Sequence, residues 1–313
     1  MEDYPATLLE FEQRFATEQA CRDYLAQLRW PDGFRCPGCE SPHAWLNTRV
    51  LWECAQCHRQ TSVTSGTIFQ DTRLPMRLWF RAMWYLTNQK YGANALGLQR
   101  VLGLGSYHTA WTWLHKLRCA MVRPQRDRLH GLVEVDETYI GGEESGKRGR
   151  GAAGKTLVFV AAEDPGRAIG RIRLLKIPNA SGDSLRTALQ ATVEPASTIR
   201  TDGWAGYQGL ASVGYGHTVV RPSAEVGENL LPLVNRVVSL LKRWLLGTYQ
   251  GAVADSHLNY YLDEFTFRFN RRTSRSRGKL FYRLVQQATQ IEPVAYKDLV
   301  KHARGTKKSQ HKI

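Results

Sequence analysis

The chain has 313 residues, of which 43 are Lys or Arg and 28 are Asp or Glu, so its formal net charge is +15. This length allows two or three domains of about 100–200 residues each, and a hydrophobic content of 42% excludes a wholly disordered chain. No apolar run approaches the about 18 residues of a membrane span, and the acidic start lacks a secretory signal. We therefore expect a cytoplasmic protein with no membrane partner, whose six cysteines are metal ligands or core residues rather than disulfides.

Two paired-cysteine motifs follow a helical lead-in at residues 1–30. The four cysteines form two C-x2-C pairs with 14 residues between the pairs: Cys36, Cys39, Cys54 and Cys57. A two-residue gap lets both thiolates of a pair reach one tetrahedral ion, and two pairs close a shell with no open position. We therefore predict a zinc ribbon over residues 31–70, with a structural Zn²⁺ that supplies its folding energy. The sequence leaves open whether this ribbon contacts DNA or protein.

Residues 71–124 are rich in Trp and Leu and have helical spacing, interrupted at Gly103-Leu-Gly105. A helix, a short turn with glycine and a second helix beginning after Ser106 form the helix-turn-helix pattern. In that motif the second helix enters the major groove, which would bring His108 and Thr112 near base edges. A plain helical connector fits this pattern equally well. The residues after the hinge at 124–130 alternate β-rich and helical runs, which predicts an α/β domain.

Two aspartates occupy positions where α/β folds commonly have catalytic or ligand-binding residues. Asp136 lies within an alternating run that predicts a strand, on the same face as Glu134. Asp202 ends a second β run and is followed by Gly203; the carboxyl ends of strands are where such sheets bind ligands. Each aspartate alone has a simpler interpretation, because an Asp at a strand end often caps a helix or begins a turn.

A third element is a predicted helix that begins near Pro232 and stops at Gly247. Asn235 and Lys242 are seven residues apart on it, so they project from nearly the same face, two turns apart. One of them can therefore face the acids while the other reaches a phosphate.

Positive charge is concentrated at the C-terminal end. Residues 268–313 contain 13 Lys or Arg and two acids, a net charge of +11. This favours a polyanion as partner, because counterion release drives such binding; a basic tail at 291–313 that only aids solubility is the alternative.

The segments VDETYIGG, RTDGW, NRVVSLLKRWLLGTYQG and YLDEFTFRFNRR together resemble a bacterial insertion-sequence transposase of the DDE type with an N-terminal zinc ribbon. The resemblance implies an RNase H-like catalytic domain over residues 131–290, which binds the terminal inverted repeats of the element and cleaves and joins double-stranded DNA. It implies two Mg²⁺ or Mn²⁺ ions held by Asp136, Asp202 and a third residue, and a homodimer or larger assembly on nucleoid DNA. The implied DNA contacts outside the helix-turn-helix are Lys242, Arg243, Arg268, Arg271 and Arg272.

The sequence departs from this family pattern at the third position, where Asn235 replaces the usual Glu. An amide oxygen can bind Mg²⁺ but adds no charge, so we expect a weaker second metal site, with Glu228 as the alternative ligand. The resemblance also suggests that His217 orders the site. The glycine-rich run at 146–155 lacks the spacing of a nucleotide-binding loop, so we expect no nucleotide cofactor. Its basic residues favour a phosphate-binding loop, and a merely solvated loop is the alternative. A non-catalytic zinc-ribbon DNA-binding protein, and an RNase H-like nuclease acting on RNA, remain alternatives.

Overall fold

The computed structural model describes residues 2–123, 126–141, 155–220, 230–251 and 253–301. Within these ranges the helices are α1 (Leu8–Arg14), α2 (Glu18–Arg29), α3 (Met76–Asn88), α4 (Ala95–Leu102), α5 (Tyr107–Cys119), α6 (Gly182–Thr192), α7 (Pro232–Tyr249), α8 (Leu258–Phe269), α9 (Arg277–Ala288) and α10 (Tyr296–Lys301). The strands are β1 (Ala44–Leu46), β2 (Trp52–Cys54), β3 (Gln60–Thr61), β4 (Leu132–Ile140), β5 (Thr156–Glu163), β6 (Ile172–Ile177), β7 (Thr198–Thr201) and β8 (Gly216–Val219). None of these helices has both the length and the hydropathy needed to cross a bilayer.

The chain forms two compact units whose boundaries differ from the predicted domains. One unit comprises residues 1–124 and 274–300, and the other comprises residues 125–273 and 301–313. The predicted catalytic domain ran to residue 290, followed by a tail from residue 291, whereas α9 and α10 belong to the first unit. Part of the basic C-terminal run is therefore not a free tail.

Aromatic packing explains why α9 joins the first unit. Phe281 of α9 lies 5.4 Å from the ring of Phe11 in α1 and 5.7 Å from Phe80 in α3, centroid to centroid. All three rings are fully or almost fully buried. Gly278 approaches the chain so closely that an added Cβ would meet the carbonyl oxygen of Pro5 at 1.6 Å. Phe11 and Phe281 are distant in sequence, so their periodicity alone does not reveal this contact.

The second unit is built on one mixed sheet with the strand order β6-β5-β4-β7-β8. β5 pairs antiparallel with β4 and β6, whereas β7 runs parallel to both β4 and β8. One apolar cluster joins Val158 and Val160 of the sheet to α7 and α8, and a second joins Val133 and Val135 to α6 on the other face. The predicted architecture, a four-cysteine ribbon and a helical segment before an α/β domain, is confirmed.

Candidate active site

The pairing of β4 with β7 brings Asp136 level with Asp202. The parallel register aligns Leu132 with Thr198 and continues to Glu134 opposite Arg200. The same offset, continued by two residues along both chains, aligns Asp136 with Asp202. Neighbouring strands are about 4.8 Å apart. Because side chains alternate between faces, Asp136 shares the face of Glu134, which is the face that α7 covers.

The buried hydroxyl of Tyr207 gives independent support for this proximity. Burial raises the pKa of Tyr207 well above its ordinary value, and the negative charges of Glu137, Asp136 and Asp202 raise it further. Both aspartates therefore lie within electrostatic reach of the same phenol. This agrees with the strand register, which, continued by two residues, aligns Asp136 with Asp202.

The turn that carries Asp202 depends on its neighbours. Gly203 has a φ of +87°, and a Cβ there would lie 2.6 Å from Cγ1 of Val219, so a larger residue would be strained. The Thr201 hydroxyl accepts the N–H of Gly203 at 3.2 Å and lies 2.9 Å from Nε2 of His217. Burial lowers the pKa of His217. His217 therefore contacts the residue before Asp202 and supports this turn.

Glu134 anchors the start of α7 above β4. Its side chain is fully buried, and Oε2 accepts the N–H groups of Leu233 at 2.8 Å and Val234 at 3.2 Å. Oε1 lies 3.3 Å from the guanidinium of Arg200 on β7. A carboxylate at a helix N-terminus is stabilised by the free N–H groups and the helix dipole. The sequence indicated that Glu134 shares a face with Asp136 but assigned it no role; an acid between two valines of a predicted strand was the available clue.

Asn235 follows the anchored residues directly and is exposed in the first turn of α7. Lys242, also exposed, borders a cavity with Ile140 at the far end of β4. The helix therefore runs along β4 on the face that carries Asp136. Asn235 lies in the first turn of this helix, whereas the alternative ligand Glu228 lies outside the described residues.

The donor atoms of this site suit a hard divalent cation. Asp136 and Asp202 offer carboxylate oxygens and Asn235 offers an amide oxygen, the ligand types that Mg²⁺ takes. Over the described parts of the chain, one cluster of three or more His, Cys, Asp or Glu side chains has metal-binding geometry, and it is the cysteine cluster. Asn235 is the notable candidate for a third ligand on α7, and Glu228 lies outside the described residues.

The four cysteines of the ribbon converge as their spacing predicts. Their Sγ atoms all lie within 4.8 Å of one another, with 3.5 Å between Cys36 and Cys57 and 3.5 Å between Cys39 and Cys54. A tetrahedral zinc with bonds of about 2.3 Å requires sulfur atoms about 3.8 Å apart. Backbone N–H groups of Cys57 and Gln56 lower the pKa of Cys54 to about 6, which favours the thiolate that binds metal. The prediction of a structural zinc site is supported by this geometry.

Removing one zinc ligand should unfold the ribbon locally. Cys54 lies in the ribbon core beside Phe34, whose ring stacks on Trp52 at 5.5 Å. We expect Cys54→Ser to weaken zinc binding by at least about 100-fold, because a segment this small has little other folding energy. Zinc content and tryptophan fluorescence measure the change. The control Cys119→Ser should retain one zinc per chain, and full zinc retention by Cys54→Ser would contradict the assignment.

Comparison with known proteins identifies the family. Residues 128–270 match the ISXO2-like transposase domain, and residues 16–60 match the transposase zinc-ribbon domain. Together the two ranges cover more than half of the chain, and they contain Asp136, Asp202 and all four cysteines. The chain belongs to this family of insertion-sequence transposases.

A comparison of whole sequences finds a relative, an uncharacterized protein in transposable element ISH50 of Halobacterium salinarum. It is 28% identical over 288 residues, which cover 85% of this transposase and 94% of the relative. Among solved structures, the catalytic core domain of BIV integrase is 17% identical over 46% of this chain and 85% of its own, with a TM-score of 0.32. A Mos1 transposase paired-end complex with left transposon end is 13% identical over 67% of this chain and 75% of its own, with a TM-score of 0.30. Both structural likenesses are remote.

The helical segment of the transposase has the elements of a helix-turn-helix. Gly103 ends α4 with a φ of +62°, and the Ser106 hydroxyl accepts the N–H of His108 at 3.1 Å to begin α5. His108 is exposed, and the half-buried Thr112 donates its hydroxyl to the His108 carbonyl at 2.7 Å. Tyr296 of α10 lies 6.4 Å from the His108 ring, so α10 borders the predicted DNA-reading surface.

The predicted DNA-binding arginines differ in their contacts. Arg268 is largely buried and donates to the buried carboxylate of Glu264 at 2.9 Å. Arg271 and Arg272 each stack on a phenylalanine ring, 4.1 Å from the centroid, and Arg272 also donates to backbone carbonyls between β5 and β6. Arg243 is exposed on α7 beside Lys242. Arg268 and Arg272 thus stabilise the end of α8, and a role in DNA binding for all of them stays a prediction.

Proposed function

We propose that this transposase cleaves and joins DNA strands at the ends of its insertion sequence, with Asp136, Asp202 and Asn235 holding two divalent ions. The observation that supports the proposal is the parallel β4–β7 register, which pairs Glu134 with Arg200 and, continued by two residues, aligns Asp136 with Asp202. Two divalent ions, when bound, activate the attacking oxygen and stabilise the leaving oxygen of a phosphodiester.

Each residue has a distinct part in this proposal. Asp136 lies in a strand that pairs on both sides and would offer a carboxylate ligand to the ions. Asp202 would offer a second carboxylate from the turn after β7. Asn235 would add a neutral oxygen, which should bind a divalent ion more weakly than a carboxylate does. Lys242, two turns further along α7, is positioned to hold a backbone phosphate of the bound DNA.

Duplex DNA is the proposed substrate. The net charge of +15 favours a polyanion, and a helix-turn-helix such as α4–α5 recognises a duplex major groove. Joining two ends of one element requires that both be held together, so we also propose that the protein acts on DNA as a homodimer or larger assembly.

The direct test is a cleavage assay with the purified full chain. The substrate is duplex DNA carrying the inverted repeats that flank the gene, with Mg²⁺, Mn²⁺ or EDTA. We expect nicking at the repeat end with either metal and none with EDTA, and no competition from an RNA–DNA hybrid of the same sequence. Tight binding without cleavage in both metals would favour a non-catalytic DNA-binding protein. Preferential cleavage of the hybrid would favour an RNase H-like nuclease.

A further inference from the structure

A cavity of about 760 Å³ opens beside the candidate active site, within the second unit. It lies between the end of β4, the start of β5 and the C-terminal half of α7, and we call it the α7 cavity. Its aliphatic and cationic lining comprises Ile140, Leu245, Leu246, Val253, Lys155 and Lys242. This volume lies in the range of about 300–1,000 Å³ that small-molecule-sized groups occupy in proteins.

The walls of the α7 cavity combine an apolar surface with positive charge at the rim. Ile140 and Leu245 are buried, whereas Leu246 is 67% exposed. Across the part of the chain that the structure describes, neither Lys155 nor Lys242 forms an ion pair with an acid. Two lysines without carboxylate partners attract an anion, and the aliphatic walls suit a flat, weakly polar group. A nucleotide has both features, a base and a phosphate.

The position of the cavity relates it to the proposed chemistry. Ile140 is four residues beyond Asp136 on β4, a distance of about 13 Å at the usual strand rise. This corresponds to about four base steps of duplex DNA. A paired base is held within the double helix, so a base can enter this cavity only after it has left its partner.

We propose that the α7 cavity receives an unpaired nucleobase of the DNA strand near the cleavage position, while Lys155 and Lys242 hold the flanking phosphates. The inference rests on the proposed function, since it assumes that DNA lies along α7. It adds a base-binding site and assigns Lys155 to DNA contact.

The experiment compares two short single strands of equal length, labelled with the same fluorophore. One is oligothymidine, and the other is an abasic strand with the same number of phosphates. Binding to the full chain is measured without divalent metal, so that cleavage does not contribute. We expect the thymidine strand to bind about tenfold more tightly, because contacts to the bases add binding free energy to that of the phosphate contacts.

Single substitutions locate this difference in the α7 cavity. Leu246→Ala should weaken binding of the thymidine strand about fivefold, through lost apolar contact, and leave the abasic strand unchanged. Leu9→Ala is the matched control, because Leu9 is 65% exposed on α1, and it should change neither strand. Lys155→Ala should weaken both strands alike, and Lys155→Arg should restore binding of both.

Equal affinity of the native protein for the two strands would overturn the inference. So would a Leu246→Ala variant that binds the thymidine strand as the native protein does, or that loses affinity equally for both strands. Both leucines are exposed, so these substitutions leave the fold intact, and a thermal melt verifies this. If the protein cleaves DNA normally with metal but binds both strands equally, the base-binding role of the α7 cavity is rejected and the proposed function is not. If it prefers the thymidine strand but never cleaves DNA, the proposed function is rejected and the base-binding role is not.

Discussion

Asp136→Asn and Asp202→Asn are each expected to lower the rate of metal-dependent DNA cleavage by about 1000-fold or more. Either change keeps the size of the side chain but removes one negative charge from a site that must hold two divalent ions. Each factor of ten in rate corresponds to about 1.4 kcal/mol, and a lost metal ligand costs several times that amount. The measurement is single-turnover cleavage of labelled duplex DNA, with binding measured in parallel by gel shift.

DNA affinity separates a catalytic role from a structural one. Both variants should bind duplex DNA as tightly as the native protein, because the predicted DNA-binding cations are unchanged. Asp183→Asn is the matched control: its side chain is 91% exposed on α6, so the cleavage rate should not change. Metal-dependent cleavage retained in both active-site variants would reject the assignment.

Glu134→Ala is expected to destabilise the second unit by about 3 kcal/mol and to reduce cleavage at least tenfold. The substitution removes the acceptor for two N–H groups of α7 and the buried partner of Arg200. Breaking a buried ion pair by removing one partner costs about 3–5 kcal/mol; we take the lower end because Arg200 also contacts Asp164 at 3.3 Å. A displaced α7 would move Asn235, and a shift of about 1 Å can cost 100-fold in rate.

Chemical denaturation and the cleavage assay together test the role of Glu134. Glu194→Ala is the control, since Glu194 is exposed in the same unit and its loss should change stability by less than about 0.5 kcal/mol. Cleavage should remain low in Glu134→Ala under conditions where the variant is fully folded, because the helix start stays misplaced. Native stability together with native cleavage would show that Glu134 does not anchor α7.

Local chemistry made several features predictable from the sequence. The two C-x2-C pairs predicted the ribbon, because thiolates two residues apart can share one tetrahedral ion. The alternation around Asp136 predicted its strand, and the β run that ends on Asp202 predicted the strand that the structure forms at Thr198–Thr201. The helical spacing of Asn235 and Lys242 likewise agrees with α7. Each of these inferences depends on residues close together in the chain.

The sequence by itself thus determined the class of fold, the zinc ligands and the kind of residues that form the candidate site. Only the tertiary structure decided which strand lies beside β4, and therefore that Asp136 stands level with Asp202. It also decided that Glu134 holds the start of α7 and that α9 packs with the N-terminal helices through Phe281. These contacts join residues 66 to 270 positions apart, so they depend on how whole faces pack and on the entropy of closing long loops, which no local pattern contains.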